Sequence, residues 1–256
     1  MMAFSVRLTF HGDLPFFLRS KSARLERQLT ERTSVKDIIE ACGVPHTEID
    51  LILKDGKPVD FARVIGTESD IDVFPIEAVS VTAFPEKRLQ VLNIRKFVAD
   101  GHLGKLARDL RLLGIDVVYD RHAEDGQLAM ISKTEDRALL TRDRRLLMYG
   151  SVRHGCYLKS QNPLEQTVQV IKRFNLGSAL TPLTRCLRCN AVLEAAEKAK
   201  IVDQLEPLTK IYYDQFRRCP ECRQVYWPGS HLEKLQKRIE AIRTATMVQA
   251  KGKPVL

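Results

Sequence analysis

A short apolar run that stops at an aspartate occurs twice in this chain, and it limits the folds open to it. Ala138-Leu139-Leu140-Thr141 leads to Asp143, and Leu92, Ile94, Phe97, Val98 and Ala99 lead to Asp100. Consecutive rather than alternating apolar residues suit strands covered on both faces, as in a parallel sheet. In open α/β sheets, sites form outside the carboxyl ends of the strands. An aspartate there is placed for metal or acid–base chemistry, and equally placed to cap a turn or a helix.

Helix and strand patterns alternate around these two runs. Leu103, Leu106, Ala107, Leu110 and Leu113 recur at three and four and mark one face of a helix, while Lys105, Arg108 and Arg111 share another. Such a ridge of cations beside a strand-end aspartate suits a phosphodiester backbone, or is simply a solvated face. Gly114 closes the helix and Ile115–Tyr119 reads as the next strand. Glu124-Asp125-Gly126 opens a second helix, whose acids either answer the helix dipole or face the crevice at the strand ends. Val152–Leu158 reads as a fourth strand, and Asn162 caps a helix that starts at Pro163 and runs through Phe174. This alternation predicts an α/β domain over residues 91–180, with a parallel sheet and right-handed crossovers.

Four of the six cysteines form two Cys-x-x-Cys pairs, Cys186/Cys189 and Cys219/Cys222, while Cys42 and Cys156 stand alone. The start of the chain shows no charged leader with an apolar core and cleavage site, which predicts a cytoplasmic protein. In that setting, paired cysteines favour metal over disulfides. Four thiolates at this spacing predict a closed structural zinc site over residues 181–240. The long insert between the pairs, with Val202–Leu208 and Thr209–Phe216, reads as a hairpin-like arm. Arg185, Arg188, Arg217, Arg218 and Arg223 interleave with Tyr212, Tyr213, Phe216, Tyr226 and Trp227. Cations with aromatics suit single-stranded RNA, or form a ribbon core with a solvated rim. Leu232, Leu235, Ile239 and Ile242 mark a last helix, and residues 251–256 are expected to fray.

The first 85 residues differ in charge. They hold 10 basic and 13 acidic side chains, against 31 and 19 in the remainder, so the basic surface that a polyanion would meet belongs to the second part. Phe4–Phe10 alternates as a half-buried strand, and Leu14–Ser20 reads as its partner beyond a Gly12-Asp13 turn. Thr33 or Ser34 caps a helix that Gly43 and Pro45 end, and strands follow at Glu48–Lys54 and Ile71–Pro75. The helix "Thr-Ser-Val-Lys-Asp-Ile-Ile-Glu" and the turn "Lys-Asp-Gly-Lys-Pro-Val" resemble the ubiquitin-like β-grasp domains of the ThiS/MoaD type. Sulfur carriers of that type end in Gly-Gly; here Asp72–Ile76 runs straight on. The resemblance therefore implies an α+β β-grasp fold in a binding or positioning role. Val79–Gln90 reads as the linker.

The stretches "Phe-Val-Ala-Asp-Gly-His-Leu-Gly-Lys-Leu-Ala-Arg-Asp-Leu-Arg-Leu-Leu-Gly", "Arg-Ala-Leu-Leu-Thr-Arg-Asp-Arg-Arg-Leu" and "Asn-Pro-Leu-Glu-Gln" resemble the PIN-like RNase domain named for the C-terminal region of the Mut-seven exonuclease, over residues 94–240. That resemblance implies a metal-dependent ribonuclease, endonucleolytic, in which Asp100, Asp125 and Asp143 hold Mg²⁺ or Mn²⁺. Thr141 would orient Asp143, and Arg144 or Arg137 would contact the scissile phosphate. Asp109 stands where the family carries an aromatic residue, and Asp109, Glu124 and Asp136 are further candidate acids. The closing motif Val225–His231 brings His231 either to the active site or to the cap of the last helix. Lys105, Arg108, Arg111, Arg137, Trp227 and His231 form the expected RNA surface. RNA is the expected partner, tRNA or ribosome-associated RNA included, with no membrane. The alternatives are a non-catalytic RNA- or ribosome-binding protein on the same scaffold, and a β-grasp domain that covers and restrains the basic nuclease face.

Overall fold

A computed structural model of the chain describes residues 3–76 and 84–251. By packing it divides into two units, one made of residues 1–92 and 125–157, the other of 93–124 and 158–256. No helix among the described residues is long and apolar enough to cross a membrane.

The first unit begins with β1 (Phe4–Phe10), β2 (Arg24–Leu29), β3 (Thr33–Ser34), α1 (Val35–Ala41), β4 (Ile49–Lys54), β5 (Lys57–Val59), β6 (Val64–Ile65) and β7 (Ser69–Pro75). Its main sheet runs β2-β1-β7-β4-β5. β1 is parallel to β7 and antiparallel to β2, so the sheet is mixed. Val6, Leu8 and Phe10 point to one face and meet Ile38 and Ile39 of α1 in the core. Ser34 accepts from the Asp37 amide and caps α1, which relieves one of the unpaired donors of its first turn. Asp55 and Gly56 both have positive φ, 50° and 75°, the geometry of a tight type I′ hairpin turn.

The strand expected at Leu14–Ser20 is instead a single 3₁₀ turn, Leu14–Phe17, with Leu14 and Phe17 buried. Pro15 removes a backbone donor, and apolar residues three apart face one side of a turn rather than of a strand. The partner of β1 comes later, with Phe4 opposite Leu29. β2 is an edge strand, mostly exposed and charged, which hides its apolar alternation while guarding the edge. Of the expected linker, residues 79–83 lie outside the described residues. Its end is anchored: buried Gln90 donates from Nε2 to the carbonyls of His46 and Ile49 and from its amide to Asp50.

The later elements are β8 (Lys96–Ala99), α2 (Gly104–Leu112), β9 (Asp116–Tyr119), α3 (Asp125–Thr134), β10 (Ala138–Thr141), a one-turn α4 (Arg144–Leu147), β11 (Gly155–Tyr157) and α5 (Pro163–Arg173). β8 pairs with β9 and β10 with β11, both parallel. Asn162 caps α5 through Leu164 N at 2.9 Å, with Pro163 in its first turn, as expected. Then come β12 (Glu194–Ala196), α6 (Pro207–Tyr212), β13 (Phe216–Arg218), β14 (Val225–Tyr226) and α7 (Ser230–Lys251). β12, β13 and β14 form an antiparallel sheet. The expected hairpin arm over 202–216 is a 3₁₀ turn followed by α6, because Pro207 starts a helix where a strand would need its missing N–H. Of the tail expected to fray, residues 252–256 lie outside the described residues.

Asp109 takes a structural part. It is buried on α2, and Arg238 of α7 grips it through Nε at 3.1 Å and through Nη2. Thr167 of α5 donates to its Oδ2 at 3.4 Å, the oxygen that Arg238 Nη2 also holds. Three helices thus meet at one carboxylate. Arg238→Ala would leave that carboxylate nearly buried without its cation. Because Arg238 keeps a third of its side chain in water, the expected loss is about 2 kcal/mol rather than the 3–5 of a fully buried pair. Chemical denaturation of the variant against wild type measures it, and Arg238→Lys should recover part of the loss.

Candidate functional site

The four paired cysteines come together although the pairs lie far apart in sequence. Their sulfurs all lie within 4.8 Å of one another, with Cys186 to Cys222 at 3.5 Å and Cys189 to Cys219 at 3.3 Å. A tetrahedral ion with Zn–S distances of about 2.3 Å holds its sulfurs about 3.7 Å apart. The donor set and its spacing therefore fit a metal such as zinc, in the arrangement of a zinc ribbon. Burial raises the Cys186 thiol, but hydrogen bonds from the Tyr226 hydroxyl and the amides of Cys189 and Arg188 outweigh it and bring it down to about 6. Burial and the neighbouring sulfurs push Cys219 up to about 12. A divalent cation at the centre would favour thiolate at all four. Tyr226 Oη lies 3.2 Å from Cys186 Sγ and accepts from the Leu187 amide at 3.0 Å, so it braces the first knuckle.

The knuckle is tied to the parallel strands. Asn190 accepts from the Val117 amide at 3.0 Å and donates to Asp116 at 2.8 Å. Arg111, expected on an RNA-facing ridge, is buried. Its Nε and Nη2 donate to the Val117 carbonyl, and Nη1 donates to the Arg188 carbonyl at 2.9 Å. Burial lowers its pKa. Lys105 and Arg108 stay exposed on α2. The ridge is thus split, because a helix position three residues from an exposed one can still turn toward a neighbouring subdomain.

The expected acids sit at element ends. Asp100 follows β8 and precedes a 3₁₀ turn, half-buried, with His102 Nδ1 3.2 Å from its Oδ1. Asp125 is the first residue of α3 and exposed. Asp143 follows β10 and caps α4, its Oδ1 accepting from the Arg145 amide at 2.7 Å, while its own amide donates to Thr141 Oγ1 at 2.9 Å. Thr141 therefore orients the turn through the backbone amide of Asp143. Asp125 and Asp143 belong to one packing unit and Asp100 to the other. Arg137 is buried, with Nε donating to Glu135 at 2.7 Å.

Arg144 is held by the N-terminal sheet domain, a contact no local pattern signals. Its Nη1 donates to the Phe17 carbonyl at 2.7 Å. Nearby, Glu48 accepts from the Tyr157 amide of β11 at 2.7 Å, and His46 Nε2 lies 2.8 Å from the Val152 carbonyl. Phe16 and Phe17 pack on the Tyr157 ring. The turn that carries Asp143 and Arg144 is fastened from this side.

Arg108, Trp227 and His231, from three separate elements, line one open groove of about 1090 Å³ beside the ribbon.

The family model for the Mut7-C RNAse domain matches residues 95–239, and the model for Mut7-C ubiquitin matches residues 3–81. No curated protein matches the chain.

The metal reading makes a direct prediction. The purified chain should carry one zinc per molecule by elemental analysis, and Cys219→Ser should lose it and open the ribbon to protease. Tyr226→Phe should keep the four ligands but release the metal to a chelator about 10-fold more readily, the usual size of an outer-sphere effect.

Proposed function

This chain belongs to the Mut7-C RNAse domain family, with a Mut7-C ubiquitin domain ahead of the nuclease region, and we propose that it is a metal-dependent ribonuclease that cuts RNA endonucleolytically. The reading rests on the match over 95–239, a span that contains Asp100, Asp125 and Asp143. Two of these acids follow parallel strands, where α/β folds place their sites.

Hard carboxylate oxygens suit Mg²⁺ or Mn²⁺, as soft thiolates suit zinc. Asp100, Asp125 and Asp143 would hold such a cation, which when bound would supply Lewis acidity at the scissile phosphate and a water of lowered pKa. The residues themselves do the placing. Asp143 Oδ1 is committed to the α4 cap, so Oδ2 would be the oxygen it offers a cation. His102 orients the Asp100 carboxylate. Arg144 keeps one nitrogen on the Phe17 carbonyl and presents the rest of its guanidinium to a phosphate. The ubiquitin-like domain serves to fix that turn. RNA of tRNA or ribosomal origin, met in the cytoplasm, is the substrate this reading favours.

Asp143→Asn separates chemistry from fold. Asparagine caps a helix as well as aspartate does, so thermal stability should stay close to wild type. Manganese-dependent cleavage of labelled RNA should fall by about 100-fold or more, as for loss of a charge-stabilising group. Equal cleavage by both proteins would trace the activity to a contaminant. RNA binding without cleavage by wild type would favour the non-catalytic reading.

A further inference from the structure

The groove beside the ribbon is built from parts distant in sequence: α2, the first cysteine knuckle, the three-stranded sheet and the first turns of α7. Leu183, Leu187, Val225, Leu232 and Leu235 make its floor. Its walls carry Arg108, Arg185, Arg188 and Arg217 against one carboxylate, Asp214, and Lys198 already neutralises Asp214 at 2.7 Å. Arg185 is spent on Gly114, Asn190 and Asp116, and Arg217 donates to the Leu183 carbonyl. Arg108 and Arg188 are exposed and make no ion pair among the described residues. The groove thus pairs an apolar floor with uncompensated positive charge.

Trp227 stands half-buried in its wall. Gly229 lies beside the indole, where a Cβ would come within 2.9 Å of Nε1, so glycine at this position leaves the ring its room. Gln215 and Gln224 add amides that can both donate and accept. A half-buried indole, planar guanidiniums and amides over an apolar floor are what unpaired nucleobases and their phosphates require. A duplex hides its base faces and would not use the floor.

We propose that this groove binds a single-stranded segment of RNA, with a base on Trp227 and phosphates on Arg108 and Arg188. The proposal rests on the ribonuclease reading for its choice of nucleic acid over an acidic peptide. It makes the ribbon a part of the protein that grips RNA.

Trp227 is the one tryptophan of the chain, so its fluorescence reports on the groove directly. The full-length, zinc-loaded protein is titrated with a short oligouridylate in buffer lacking magnesium and manganese. Fluorescence should be quenched to saturation, while a duplex of equal length should quench little. Arg108→Glu and Arg188→Glu, checked for zinc content to confirm folding, should each weaken binding about 10-fold and lower the salt slope by about one. RNA binding seen by anisotropy with unchanged fluorescence would overturn the proposal, as would unchanged affinity in both variants. Stronger quenching by a leucine-rich acidic peptide would overturn it in favour of a protein partner. Quenching without cleavage in manganese leaves the groove and removes the nuclease; cleavage without quenching does the reverse.

Discussion

Short parallel strands leave open edges, and the appended parts of this protein are arranged around closing them. Among the described residues, β9 and β11 each have a strand partner on one side only. An exposed row of backbone donors and acceptors is costly when buried and adhesive when not. On β9 the cysteine knuckle and α2 supply the missing partners, with Asn190 of the knuckle for the Val117 amide and Arg111 of α2 for the Val117 carbonyl. On β11 the ubiquitin-like domain does so, with Glu48 for the Tyr157 amide. Side chains stand in for neighbouring strands in both places.

This explains why two charged residues that look functional in the sequence serve the fold. Arg111 bridges α2, β9 and the knuckle, and the five donors of a guanidinium suit it to several carbonyls at once. Asp109 gathers Arg238 and Thr167 and anchors the long last helix. Charges buried this way are retained only when paired.

The two kinds of donor also divide the chemistry. Thiolates from two distant pairs converge in a closed set, suited to a structural ion. The candidate acids lie at the ends of strands and helices, exposed or half-exposed. The ubiquitin-like domain holds the turn carrying Asp143 and Arg144 through the Phe17 carbonyl, so under the proposed function its position bears on the same chemistry.

Periodicity and local spacing were enough to read the strand–helix alternation, a cap at Thr33 or Ser34, the cap at Asn162, the Cys-x-x-Cys pairs and the Asp143 strand end. Each depends on residues within a turn or two of one another, where backbone sterics and hydrogen bonding act. The 3₁₀ turn at Leu14–Phe17, the helix at Pro207–Tyr212, the burial of Arg111 and Arg137 and the anchoring of Gln90 were not legible. Tertiary structure alone decided those, together with the meeting of Arg108, Trp227 and His231 in one groove. An arginine reads the same in sequence whether its partner is water, a phosphate or a carbonyl dozens of residues away, and only the packed chain selects among them.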